Sequence, residues 1–284
     1  MSNIDKVNKA KEEAYKLMFE DHKLVDGLAI LLELIETDEV DWNVYYLLGQ
    51  GYRFINDFEG SIKFLSKAVD LNSDEAPVFH ALGVAYQLNK NYDTAIEKFQ
   101  IAIDMDPTNF SVLNMIGLTF KKIGDPTKAL YYYSKAGKAL NSNISKDICN
   151  PESLCYKDEI IDGKKTRTTL PYYLPKLAEA LKSTPEYAIN RNNMGSAAVE
   201  MGKAELARGN VKEVDKFFKL ARENFEESIG MTPVGYTYPD PRVAIRELDK
   251  LEEMSPIESN SIGNGVRESH GEPEKWPDVW ERKH

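Results

Sequence analysis

Histidine and cysteine are scarce in this chain: of 284 residues, four are histidine and two are cysteine. Cys149 and Cys155 cannot build the disulfide framework of a small secreted domain. Their spacing is longer than the usual half of a zinc site, and no second pair of Cys or His lies near. His22, His80, His270 and His284 stand at no set spacing from a nucleophile, so the text contains no Ser/His/Asp or Cys/His arrangement. A lysine-bearing phosphate loop is missing, as is a G-x-G-x-x-G following a strand. Carboxylate pairs such as Glu252-Glu253 read as a solvated helix face. Neither a catalytic residue, a metal nor a cofactor is expected, and the chain is not expected to be an enzyme.

Positive charge is also in deficit. Thirty-six Lys and Arg against 46 Asp and Glu leave a formal charge of −10. Such a chain repels phosphate backbones and anionic membrane surfaces, so neither nucleic acid nor membrane is an expected partner. No apolar run approaches the ~18 residues of a membrane span. The opening MSNIDKVNKAKEEAYKLM has no apolar core of a secretory signal, which leaves the cytoplasm as the expected compartment. Apolar residues at 42% are nonetheless enough for a buried core.

What the chain does have is internal repetition. Windows beginning at Trp42, Ala76 and Phe110 align without a gap. Gly49, Gly83 and Gly117 recur at one constant interval, with Leu48, Leu82 and Ile116 before them and Tyr52, Tyr86 and Phe120 after. Ser61, Ala95 and Ala129 follow, then Leu65, Phe99 and Tyr133, then Ala68, Ala102 and Ala136. Small residues in two columns let paired helices approach, and aromatic residues fill the space between. Apolar positions recur three and four apart, the helical period. Turns fall at Asn56-Asp57, Asn89-Lys90-Asn91 and Gly124-Asp125-Pro126. Asp106-Pro107-Thr108-Asn109 ends a repeat.

These columns resemble the tetratricopeptide repeat, a helix–turn–helix unit of about 34 residues. The window from Ala76 to Asn109 matches nearly every family column. Ser73 and Asn141 replace the proline that Pro107 supplies. The resemblance implies an all-α helical solenoid of about five helix pairs, with repeats at about 8–41, 42–75, 76–109, 110–143 and 188–235. The first is degenerate, with Ala14-Tyr15, Gly27, Leu31 and Leu34 in core columns and His22 at its turn. The last is stretched: Gly195 and Ala221 are 26 apart where Gly83 and Ala95 are 12 apart, so two long helices joined near Gly209-Asn210 are expected. Ala221, Phe225, Ser228 and Pro233 repeat its second-helix columns.

An insertion at 144–175 interrupts the array. The Asn-, Ser- and Asp-rich text at 141–153, which leads into it, reads as a loop. Asp162-Gly163 between β-tolerant runs signals a hairpin or an irregular loop, and Pro171 and Pro175 bracket the start of a short helix through Leu181. Asp240-Pro241 begins a cap helix through residue 254. Residues 255–284 have a disordered composition with an uncharacteristic Trp276-Pro277-Asp278-Val279-Trp280. Those tryptophans either pack back on the solenoid or form a short recognition motif, one that could occupy the chain's own groove.

In this family the first helix of each pair lines the concave side. The family's groove columns carry Asn43, Tyr46, Gln50 and Arg53, then Pro77, His80, Val84 and Gln87, then Ser111, Asn114, Leu118 and Lys121, then Asn192 and Ser196. The set is rich in amides and free of carboxylates. Amides both donate and accept, which suits the backbone of an extended peptide. The clamp with which some family members hold a terminal carboxylate is absent, because its columns carry Tyr46, Gln50, Ala81, Ser111 and Met115. The expected function is an adaptor that binds a protein segment in this groove. The alternative is an assembly subunit of a larger complex, contacting through the long late helices or the insertion.

Overall fold

A computed structural model describes residues 3–37, 40–148, 156–161, 164–169, 184–231 and 240–254. The helices come in pairs: α1 (Asn3–Phe19) with α2 (Leu24–Leu34), α3 (Trp42–Phe54) with α4 (Phe58–Leu71), α5 (Ala76–Leu88) with α6 (Tyr92–Met105), and α7 (Phe110–Ile123) with α8 (Pro126–Ile148). Strands β1 (Tyr156–Ile161) and β2 (Lys164–Thr169) follow, then α9 (Pro185–Ala207) with α10 (Val211–Met231), and finally α11 (Pro241–Met254).

Local signals start and stop these helices. Asp41 accepts from the backbone N–H groups of Asn43 and Val44, Asp57 from Gly60, Asn91 from Thr94 and Asn109 from Val112. Each such N-cap satisfies a donor the helix cannot, and is worth ~1 kcal/mol. The turns share one device. His22, Asn56, Lys90 and Gly124 all have positive φ, at 56°, 61°, 62° and 88°, and they are spaced by the same interval as the repeat columns. The next backbone N–H after the last three bonds back five residues, Asp57 to Tyr52, Asn91 to Tyr86 and Asp125 to Phe120. This is the wrapped helix end that a left-handed residue permits. The repeat period therefore lives in the backbone as well as in the side chains, and it reaches into the degenerate first repeat.

Packing within each pair from α3–α4 onward is a ring or branched side chain laid against a bare backbone, and in the first pair Met18 takes that place against Gly27. A Cβ on Gly49 would meet Leu65 Cγ at 2.5 Å, and one on Gly83 would meet the Phe99 ring at 2.6 Å. Ser61 Oγ donates to the Gly49 carbonyl at 2.7 Å. In the last pair, Gly195 faces Phe225 and Gly202 faces Phe218 in the same manner. The extra helical turns of α9 and α10 thus repeat the glycine-to-ring contact two turns on. Phe218, Phe225, Val214 and Ala221 are all buried there.

Two expectations are corrected. The Asn- and Ser-rich text after Leu140 does not open a loop, because α8 continues to Ile148. Leu140 is buried against Tyr187 and Ala188 of α9, and the Asn143 amide donates to the Thr108 carbonyl. Tertiary packing overrides the weak helix propensity of these residues. Secondly, Tyr15 is 49% exposed and is not a core residue.

The insertion carries an antiparallel pairing of β1 with β2, in which Ile161 stands opposite Lys164. The connecting Asp162-Gly163, the two cysteines, the expected short helix at 171–181, Pro233 and the tail 255–284 lie outside the described residues.

The end of the array is closed by α11. Asp240 accepts from the Arg242 backbone N–H, and Leu248 is fully buried against α10 and α9. Glu252 is not a free surface carboxylate as expected: Arg222 Nη2 lies 2.5 Å from Glu252 Oε2 and 2.6 Å from Asp249 Oδ1. The hydrogen bond to Asp249, with help from Glu252, raises the Arg222 pKa.

The first helices α1, α3, α5, α7 and α9 touch in succession. Their partners do not meet one another in the same way. The array is therefore drawn together along the odd-numbered helices and splayed along the even-numbered ones, which makes the odd-numbered face concave.

Candidate functional site

Four of the expected groove residues come together. Asn43, Tyr46, Gln50 and Arg53 follow one another along α3, three or four residues apart, and so share one helix face. The Gln50 amide donates to Tyr46 Oη at 3.0 Å, and Arg53 Nε donates to Gln50 Oε1 at 3.1 Å. The Arg53 guanidinium also lies 4.4 Å from the centre of the Phe54 ring. Burial lowers the Arg53 pKa, while the nearby Tyr46 opposes that shift.

The opposite wall of this cleft comes from α1, which supplies no residue to the expected set. Tyr15 and Phe19 pack with centroids 4.9 Å apart, and Phe19 meets Phe54 edge-on at 5.7 Å. A depression of about 300 Å³ lies between Tyr15, Phe19, Tyr46, Gln50 and Arg53. It continues past Tyr46 and Leu47 into a broader basin of about 710 Å³ that takes in Asn43, Lys11 and Lys16, and also Glu12 and Glu20. The groove thus does hold carboxylates, brought in by the worn first repeat. The available signal was the Tyr15/Phe19 pair at helical spacing. Lys11 bridges to Asp41 at 2.6 Å and ties α1 to the start of α3.

Farther along, the groove residues are largely engaged with one another. His80 is mostly buried, and its Nε2 has no hydrogen-bond partner. Burial first, and the Arg53 charge second, hold its pKa down at about 4, so it is neutral at pH 7. Gln87 is only 3% exposed. Its amide donates to Thr119 Oγ1 at 2.7 Å and to the Met115 carbonyl at 3.3 Å. Asn114 accepts from Asn190 at 2.9 Å, and Lys121 Nζ lies 2.6 Å from Ser196 Oγ. Burial lowers the Lys121 pKa, with Glu200 opposing and Lys122 adding. Asn192 is buried, with no partner for Oδ1. Ser111, Val84 and Leu118 are half-buried, and Pro77 is exposed. Gln87, Asn114, Lys121 and Ser196 therefore staple neighbouring first helices, whereas the Asn43–Arg53 run lines open space.

Asn190 is the buried polar residue that the sequence did not point to. Its amide bridges Asn114 and the Tyr133 carbonyl, both at 2.9 Å. Gly137 leaves room for it: a Cβ there would lie 2.8 Å from Asn190 Oδ1.

Among the described residues, no three His, Cys, Asp or Glu side chains gather as a metal site would require. None of the described helices is long and apolar enough to cross a membrane.

Comparison with known proteins agrees with this geometry. The tetratricopeptide repeat family model matches residues 43–75 and 76–109. No curated protein is significantly similar to the chain in sequence. Among solved structures, one described as the crystal structure of MamA is 18% identical, with a TM-score of 0.50 over 76% of this chain and 96% of that one. A second, described as the crystal structure of MamA protein, is 16% identical, with a TM-score of 0.50 over 82% and 99%. Identities this low speak to fold alone. With the repeat columns, the periodic turns and the matched windows in agreement, residues 43–109 are tetratricopeptide repeats within a chain folded as a helical solenoid of that type.

Proposed function

We propose that this chain is a cytoplasmic, non-enzymatic adaptor that holds an extended segment of a partner protein along its concave face. One observation carries the proposal: Asn43, Tyr46, Gln50 and Arg53 line an open cleft between α1 and α3 together with exposed aromatic rings. Rings give area at low entropic cost, amides match a peptide backbone, and a partly desolvated arginine gains from an incoming carboxylate. The partner segment would then be extended, with an apolar side chain beside Tyr15 and an acidic group near Arg53. Nucleic acid and membrane are not proposed as partners, given the −10 charge.

The test is capture of partners from the native cell by the full chain and by a Tyr46→Ala, Gln50→Ala, Arg53→Ala variant. Capture should fall about tenfold or more, since truncated aromatic and arginine anchors carry most of such binding. Undiminished capture by a variant with the same melting temperature overturns the proposal.

A second reading rests on the last helix pair. At 23 and 21 residues, α9 and α10 are far longer than the 13 to 14 of α3 to α7, as a subunit that docks through this end would require. Such a chain purified alone would oligomerise or aggregate. A monodisperse monomer speaks for the groove.

A further inference from the structure

Because the even-numbered helices splay, a cavity of about 300 Å³ opens on the convex side between α8 and α10. Its lining is apolar: Leu130 and Tyr131 from α8, Met201 from α9, and Phe217 and Leu220 from α10. Tyr131 is 39% exposed, a large ring left without cover. The polar rim is basic. Lys135, Lys138 and Lys216 line the cavity, and no carboxylate does, although Lys216 also lies 3.3 Å from Glu213. Lys135 Nζ lies 4.7 Å from the centre of the Tyr131 ring. In a chain of net charge −10, this is a local reversal of sign around an apolar hole.

The end of α11 lies close by. Glu252 shares a surface basin with Lys216 and Leu220, and those same two residues line the apolar cavity. Helix α11 ends at Met254, and thirty residues follow. Twenty-one of them, 255–275, precede Trp276. A random coil of that length spans on the order of 25 Å, more than the ~10 Å between packed helices. The stretch 272–284 holds Trp276 and Trp280 among Glu272, Glu274, Asp278 and Glu281, with Lys275 between them and Arg282 and Lys283 after the last carboxylate.

We propose that the C-terminal segment Trp276–Trp280 docks in this convex cavity, an indole filling the hole between Tyr131 and Phe217 and the flanking carboxylates meeting Lys135, Lys138 and Lys216. The site takes a bulky aromatic side chain in an acidic context. The short tether gives the chain's own tail a local concentration that a free segment reaches only near the millimolar range. The concave groove plays no part in the contact, so either proposal can fail while the other stands.

The experiment uses the full chain carrying Trp42→Phe, which leaves Trp276 and Trp280 as its two indoles. Acrylamide quenching of their emission is compared with that of a free peptide of residues 270–284. The quenching constant should be about threefold or more lower in the protein, as for an aromatic side chain withdrawn from water. Lys135→Glu with Lys216→Glu should raise it to the peptide value without loss of helical signal, both lysines being on the surface. Peptide-like quenching in the parent overturns the proposal, as does protection that survives the charge reversal. Protection that grows with protein concentration assigns the tail to a second copy and likewise overturns it.

Discussion

Gln87 on α5 donates through its amide to Thr119 Oγ1 on α7 across 2.7 Å, and both side chains are closed off from solvent. Thr119 in turn donates to the Met115 carbonyl at 2.7 Å. A groove column has thus become a joint between repeats. Replacing Gln87 by Ala should cost about 1–3 kcal/mol, because it leaves a buried hydroxyl short of a partner. A double-mutant cycle with Thr119→Ala, followed by chemical denaturation, should show a coupling of at least ~0.5 kcal/mol. Additive losses would mean that the bond contributes nothing across the joint.

Two glycines should fail in opposite ways. Gly83 has an ordinary backbone but no room, with the Phe99 ring 2.6 Å from where a Cβ would be. Gly124 has open space but a φ of +88°. Gly83→Ala should lose about 1–3 kcal/mol through overpacking, and Asn there should be worse still. At Gly124 the order should invert: Asn tolerates left-handed backbone and should cost less than Ala. Melting temperatures of the four variants check this, and the same order at both sites would refute it.

His80 makes stability depend on pH. Its folded pKa of about 4 lies below the ordinary 6.5. Between those values the unfolded chain binds a proton that the folded chain refuses, so stability falls as pH drops from 6.5 towards 4 and levels off below. The loss is roughly 3 kcal/mol. A His80→Gln variant should lack this component, which appears as the difference between the two stability–pH curves. Parallel curves across the window would place the proton elsewhere.

The capping helix should matter through one residue. Leu248 is fully buried and Val243 is 44% exposed on the same helix. Leu248→Ala should cost about 2–5 kcal/mol as a cavity, whereas Val243→Ala should stay within ~0.5 kcal/mol. Equal effects in denaturant titrations would show that α11 is not closing the core.

The repeat columns were legible because each residue type answers a local geometric demand that recurs once in every repeat. Gly83 opposite Phe99 is the clearest case. The long last pair was legible from the Gly195–Ala221 spacing. Its use of a second glycine and ring was not drawn from the text, although Gly202 and Phe218 stand there in plain view. What escaped depends on which neighbour a side chain meets. Gln87 and Asn114 have the composition of a peptide groove, yet the next helix takes up their hydrogen bonds. Tyr15 reads as core by register. It stands exposed because α1 turns that face to the cleft beside Tyr46. The continuation of α8 through Asn141 and Asn143 depends on Leu140 finding Tyr187, a contact across the whole insertion.

The array is not equally firm along its length. The joint between α2 and α3 is the most lightly packed of those that link one pair to the next, and α1 meets α3 through Met18 against Gly51, Lys11–Asp41 and the Phe19–Phe54 edge. In a chain whose stability is a sum over neighbouring units, amide protons of α1 and α2 should exchange first. The cleft of Tyr46 and Arg53 spans this same seam. A segment seated there would bridge both sides of it, so occupancy should slow exchange in α1 and α2 while leaving α9 and α10 unchanged. Capture of a partner would then be read at the end of the molecule as a gain in order.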